Sequence, residues 1–439
     1  MQKNRFVRAF LLAATFALLT VVPFVATAQD EIVVDLYFPT AVDGPIVETI
    51  QGYAEQFEAA NPGITVNAVY TGDYNGTREA IQAETASGEL IVDVAVMLAT
   101  DLFSFIEEGY IVPVQPYIDA LEDPAAFEAD FFPAFLANSR DAEGTLWSIP
   151  FQRSTPVLYY NVEMLEAAGV EVPTNNEELL AAAEALSTDT VEGFLLPVAG
   201  VFPTWLVQSF QAAYGQPVVG DNPGEVFFNT DATLAALQYI DTLKTTLGEE
   251  VVSEWGETPA AFIAGEAAMI YHTTGSLSNI LNNAPFEVGV AFLASGPAGE
   301  DGTGYGAPTG GGNLYIFDDG SKSPEELDAA WRLVEFLSSP EIQSDWGVAS
   351  GYVAARISAW DIEPLLSRSA EFPQYAVARD QLEFAVKEFS AYRTVDIQNI
   401  INTTLARIIS GEVSIDEAPA LLEEAQGQID ELLAEYAGQ

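Results

Sequence analysis

The sequence predicts an α/β protein of two lobes, each a mainly parallel sheet flanked by helices. Three observations lead there. The 439 residues exceed what one ordinary core organises, so two compact units are expected. Strand and helix periodicities alternate from residue 32 onward, which implies parallel strands joined by right-handed crossovers. Finally, the stretch Ile149-Pro-Phe-Gln-Arg-Ser-Thr-Pro-Val-Leu-Tyr-Tyr-Asn161 interrupts an apolar path with Gln152, Arg153, Ser154 and Thr155, between Pro150 and Pro156. Such a polar insert is costly unless it meets a ligand, water or its own members. The same pattern also fits a surface turn between two strands, or a crossing from one lobe to the other.

Residues 1–28 read as an export signal: Lys3, Arg5 and Arg8 precede an apolar run from Ala9 to Val22, and Ala26-Thr27-Ala28 is a small-residue cleavage site. No cysteine occurs, which removes disulfides, thiolate metal sites, thiol nucleophiles and a lipid-modified cysteine. Cleavage would take three of the 15 basic residues and none of the 65 acidic ones, leaving a net charge of about −53. Nucleic acid is therefore an unsuitable partner. With 49% hydrophobic residues, the acid reads as a solvated shell around ordinary cores.

In chain order, Ile32 to Phe38 reads as a buried strand. Pro45 then opens a helix carrying Ile46, Ile50, Tyr53 and Phe57 inward. A second strand alternates through Ile64, Val66, Ala68 and Tyr70, a helix covers Thr77 to Ser87, and a third strand runs from Ile91 to Met97. The loops after these strands, including Gly72-Asp73-Tyr74 and Leu98-Ala99-Thr100, belong at the carboxyl edge, where such sheets bind ligands. Beyond Asn161 the pattern continues with a helix over Asn176 to Leu186, a strand over Phe194 to Val198, a helix over Trp205 to Ala213, and a helical stripe of Leu234, Leu237, Ile240 and Leu243. Ala267 to Tyr271 is a strand, and Ser276 is placed to cap a helix starting at Leu277. After the glycine-rich stretch from Gly299 to Gly312 comes a strand over Asn313 to Phe317. Ser323-Pro-Glu-Glu326 then opens a helix by capping box, and the last ninety residues are mainly helical.

The inventory for chemistry is thin. His272 is the single histidine, so no histidine pair can hold a metal and any triad would rest on this residue. Carboxylate pairs are too abundant to be informative. Gly304-Tyr-Gly306-Ala-Pro-Thr309 lacks the third glycine of a dinucleotide fingerprint and precedes a strand, so it reads as a loop, and no cofactor is implied. Arg153 and Arg393 lie among tyrosines and small polar residues, and a guanidinium there suits phosphate or carboxylate; a salt bridge to one of the many acids is the plainer role.

Several stretches together resemble the extracellular solute-binding proteins of bacterial ABC importers. They are Pro150-Phe151 with Ser154-Thr-Pro-Val-Leu-Tyr-Tyr-Asn161, Gly275-Ser276-Leu277 with Asn279-Ile280, Phe336-Leu337 with Pro340-Glu341, and Gly351-Tyr352. The resemblance implies the periplasmic-binding-protein fold, with three chain crossings and lobes that close over a ligand. It places one lobe at residues 30–150 plus 314–350 and the other at 156–310 plus 353–439. It also implies a non-enzymatic, monomeric receptor in the periplasm or outside the cell, which delivers a small molecule to membrane permease subunits.

Residue by residue, the resemblance implies ligand contacts at Tyr74, at Ser154, at Thr273 or Thr274, at Gly310 or Gly311, at Tyr352 and at Arg393, with Trp205 in the cleft. Leu98 stands where the family has a glutamate serving ligand hydroxyls, and Arg153 where it has a serine. The implied ligand is phosphorylated glycerol or a related organophosphate, with Arg393 as its anchor and Arg153 as a second cation. The alternatives are a neutral sugar or oligosaccharide stacked on Tyr74, Trp205 and Tyr352, and a secreted carbohydrate hydrolase.

Overall fold

The computed structural model describes residues 31–200, 202–296 and 306–436, so the expected export signal lies outside the described residues. Among these, the strands in chain order are β1 Ile32–Phe38, β2 Ile64–Tyr70, β3 Val94–Leu98, β4 Ile111–Val112, β5 Ser148–Ser154, β6 Pro156–Asn161, β7 Leu196–Ala199, β8 Val252–Glu254, β9 Met269–Thr273, β10 Val288–Ala291 and β11 Gly310–Phe317. The first sheet runs β2-β1-β3-β11-β4, with β5 on β11. Here β1 is parallel to β2 and β3, while β11 is antiparallel to β3, β4 and β5. In the second sheet β6 lies between β9 and β10, antiparallel to both. A parallel bridge from Leu195 to Ile270 and the parallel pair β7–β8 extend it. Each sheet thus has one strand, β11 or β6, running against the rest, and the two-lobed α/β reading holds.

Local chemistry explains where the element ends differ from expectation. The helix Ile46–Ala60 buries Ile46, Ile50, Tyr53 and Phe57 as its spacing requires. The next helix starts at Tyr74, three residues early, because the Asp73 carboxylate accepts from the Gly76 N–H at 2.8 Å and caps it. β3 starts late, since Ile91 turns outward and its N–H donates to Glu84 Oε2 at 2.9 Å. The capping box is present: Ser323 Oγ accepts from Glu326 N–H at 3.2 Å, and Glu326 Oε2 accepts from Ser323 N–H at 2.7 Å. Ser276, expected as a cap, makes no capping bond; its hydroxyl is engaged instead by His272 Nδ1 at 2.9 Å.

The polar insert is a crossing. β5 belongs to the first sheet and β6 to the second, with Thr155 alone between them. Its backbone N–H meets Thr274 Oγ1 at 3.3 Å, and its carbonyl accepts from Thr274 N–H at 3.1 Å. A second passage leads from Pro308, bridged to Val386, into β11, whose Gly310 pairs with Ser154. After Tyr352 the chain stays beside the first sheet: Phe132 N–H donates to Ala355 O at 3.2 Å, and Ser358 N–H to Asp130 Oδ1 at 2.8 Å. It reaches the second sheet where Gln374 donates to Val288 O at 2.8 Å and Gln381 to Pro156 O at 2.7 Å. Near these passages Phe151, Trp346 and Tyr352 form a stack, with ring centroids 5.1 and 5.8 Å apart, and this fixes the Tyr352 ring.

Candidate ligand-binding site

A cavity of about 560 Å³ opens among the loops at the ends of the two sheets. From the first sheet's side come Asp43, Asp73, Tyr74, Leu98 and Thr100; Ser154 and Gly311 lie at the crossings; Phe202, Trp205, Trp255, His272 and Thr273 come from the second. Tyr352, Glu388 and Phe389 complete the wall, together with Val395, Gln398, Asn399 and Asn402 on one face of the helix Thr394–Ile409.

Six expected residues meet there: Tyr74, Ser154, Trp205, Thr273, Gly311 and Tyr352. Gln152, fully buried, donates through one amide nitrogen to both tyrosine hydroxyls, Tyr74 at 3.1 Å and Tyr352 at 3.2 Å. The Tyr352 ring also needs Gly275, where an added Cβ would lie 2.7 Å from it. Trp205 Nε1–H donates to Thr309 O at 2.9 Å and lays its ring over Gly310, where a Cβ would again come within 2.7 Å. Gly310 therefore makes room for the indole and is not itself on the wall, and Thr274 is spent on Thr155.

The two expected cations are elsewhere. Arg153 is completely buried behind the wall, donating to Gly311 O at 2.9 Å and to Thr309 Oγ1 at 3.0 Å, with Glu388 Oε2 3.7 Å away. Arg393 lies outside the cavity lining on the protein surface, bound to Asp396 Oδ2 at 2.6 Å and Glu435 Oε1 at 3.2 Å. The cause is local: Asp396 sits three residues on in the same first helical turn, and Glu435 arrives from the C-terminal segment.

A family model for bacterial extracellular solute-binding proteins matches residues 52–374. The chain belongs to this family. The sn-glycerol-3-phosphate-binding periplasmic protein of Salmonella typhimurium is 26% identical to it over 355 residues, 76% of this chain and 77% of the relative. Mycobacterium tuberculosis UgpB in complex with glycerophosphocholine shares the fold with a TM-score of 0.77 at 21% identity, covering 91% of this chain and 98% of that one. Maltose-bound MalE3 of T. maritima does so with a TM-score of 0.77 at 21% identity, covering 90% and 99%. The protein is thus a solute-binding component of an ABC importer, the class of receptor that passes small molecules to permease subunits. No helix among the described residues is long and apolar enough to cross a membrane.

The electrostatics of this solute-binding protein's cavity come mainly from residues the sequence did not single out. Arg78 lies four residues after Tyr74 on the same helix, and its guanidinium is taken by the buried Asp101 carboxylate at 2.6 Å. Burial pushes Glu388 up to about 8, with Arg153 opposing the shift. Burial also holds His272 down at about 4, so its ring is neutral at pH 7. Nε2 faces the Trp255 carbonyl at 3.0 Å and so carries the hydrogen, leaving Nδ1 to accept from Ser276 Oγ. This serine–histidine pair has a carbonyl behind the imidazole and a weak base in it, which does not favour proton abstraction. His272 instead positions Trp255, whose ring centroid is 4.1 Å away and whose Nε1–H donates to Ala41 O at 3.0 Å. A helical reading of Val395, Gln398, Asn399 and Asn402, spaced three, one and three apart, was the available signal for the amide face.

Proposed function

We propose that this receptor captures a neutral, polyhydroxylated solute, a sugar or short oligosaccharide, between two lobes. Among the described residues the lobes are 31–154 with 310–372, and 156–200, 202–296 and 306–307 with 374–436, so that the third crossing falls after the helix Leu365–Glu371. The observation that carries the ligand reading is the charge on the wall. Arg78 is the only arginine or lysine among the described lining residues, and it is committed to Asp101, while the carboxyl groups of Asp43 and Asp73 share the same cavity. The helix N-terminus beside Tyr74, a natural anion site, is already occupied by the Asp73 carboxylate. What remains is an aromatic wall of Tyr74, Phe202, Trp205, Trp255 and Tyr352, faced by amides and hydroxyls from Gln208, Gln398, Asn399, Asn402 and Thr273. Flat apolar faces with flanking hydrogen-bonding groups match the two surfaces of a sugar ring.

A second reading, an organophosphate, is favoured by the 26% identity to an sn-glycerol-3-phosphate-binding protein. A thermal-shift panel of glucose, maltose, trehalose, ribitol, sn-glycerol-3-phosphate and glycerophosphocholine separates the two. A ligand at 100 times its dissociation constant stabilises by about 2.7 kcal/mol. The neutral reading expects a shift from a sugar or polyol; a shift from the phosphates alone would reverse it.

A further inference from the structure

Position 98, where the resemblance calls for a glutamate, is leucine, yet the cavity contains a buried carboxyl from another part of the chain. Glu388 retains 5% exposure, and it lines the cavity. Its backbone is pinned on three sides. Its carbonyl accepts from Asn138 Nδ2 at 3.0 Å, the following Phe389 N–H donates to Gln208 Oε1 at 3.0 Å, and Ser390 Oγ donates to Thr100 O at 3.0 Å. Its side chain is not similarly held. Oε2 has no hydrogen-bond partner among the described residues, and Arg153, though 3.7 Å away, gives its Nη hydrogens to Gly311 O and Thr309 Oγ1. Thr100 Oγ1, on another lining residue, is also without a partner among the described residues. Leaving such groups unpaired is destabilising by an amount comparable with a lost hydrogen bond, so a carboxyl kept this way at a cavity wall calls for a role.

We propose that Glu388 is a ligand-contacting residue that takes one hydroxyl group of the bound solute and thereby sets selectivity for it. Burial keeps the carboxyl largely protonated at neutral pH, and in that form it both donates and accepts, as a hydroxyl does. Glu388 thus supplies from the C-terminal segment a carboxyl contact that Leu98 does not. The inference rests on the neutral-solute reading.

The test titrates, by calorimetry, the tightest-binding neutral member of the panel above and its monodeoxy analogues into the wild type and into Glu388→Ala, Glu388→Leu and Glu388→Gln. In the wild type, removal of one particular hydroxyl should weaken binding on the order of 10- to 100-fold, the range of a hydrogen bond to a charged or strongly polar group. In Glu388→Ala that analogue and its parent should bind equally. Glu388→Leu, which fills the same space, should behave the same way if the alanine variant does not fold, and Glu388→Gln should restore part of the discrimination. A purely structural role would weaken all analogues alike and leave their ratios unchanged, which overturns the proposal. If both apolar variants bind the parent with wild-type affinity, the proposal fails and the neutral reading stands. If no neutral compound binds the wild type, the neutral reading fails and takes this inference with it.

Discussion

His272→Gln should abolish an acid-sensitive component of stability. The imidazole is buried, Nε2–H donates to Trp255 O and Nδ1 accepts from Ser276, so folding admits the neutral ring and penalises the charged one. Its folded value is about 4, against 6.5 for an unperturbed histidine. The folded value lies below the unfolded one, so the unfolded state binds the proton first. This contribution is therefore fully present above pH 6.5 and is lost as pH falls toward 4. Over that interval the loss is about 3 kcal/mol, at about 1.4 kcal/mol per pH unit. Glutamine can make both hydrogen bonds and does not titrate. Urea unfolding of the two proteins at pH 7.5, 6.5, 5.5 and 4.5 should give curves that converge as pH falls, with the wild type losing stability faster. Because the chain has one histidine, its proton resonance reports the midpoint directly. Parallel stability curves with an imidazole midpoint near 6.5 would show that folding does not hold the ring neutral.

Arg393→Ala should leave sugar binding within about twofold, since its guanidinium faces Asp396 and Glu435 outside the cavity; calorimetry checks this. Trp205→Ala should weaken binding by roughly 1 to 2 kcal/mol through loss of a stacking face, read in the same titration. Gly310→Ala should destabilise the protein by about 1 to 3 kcal/mol in urea unfolding and displace the Trp205 indole, because its Cβ would meet the ring at 2.7 Å.

The elements with regular periodicity were legible. The strands β1 and β2 and the helix Ile46–Ala60 followed from apolar spacing, and the polar insert between two apolar runs marked the place of the crossing while also fitting a surface turn. Legibility ended where a side chain's role depends on partners far away in sequence. Arg393 reads as an anion anchor among its neighbours, but its guanidinium is taken by Asp396, three residues on, and by Glu435, forty-two residues later. Arg153 sits in the right segment, but its hydrogen bonds go to Thr309 and Gly311, on the second passage between the sheets. Trp255 and Glu388 carried no periodic signal, because each reaches the cavity from an irregular segment placed by tertiary contacts. Ser276 matched a capping pattern, and the imidazole four residues before it competed successfully for its hydroxyl.

The proposed selectivity for a neutral polyhydroxylated solute rests on Arg78, the one arginine or lysine among the described lining residues, being already paired with Asp101, while Arg153 and Arg393 are engaged away from the wall. Direct calorimetric titration of the purified wild-type protein with the tightest neutral sugar or polyol of the panel, and separately with sn-glycerol-3-phosphate, tests it at pH 7.5 and physiological salt. The neutral compound should bind at least about tenfold tighter, a difference of about 1.4 kcal/mol. Tighter binding of sn-glycerol-3-phosphate, weakened by raising the salt concentration, would contradict it.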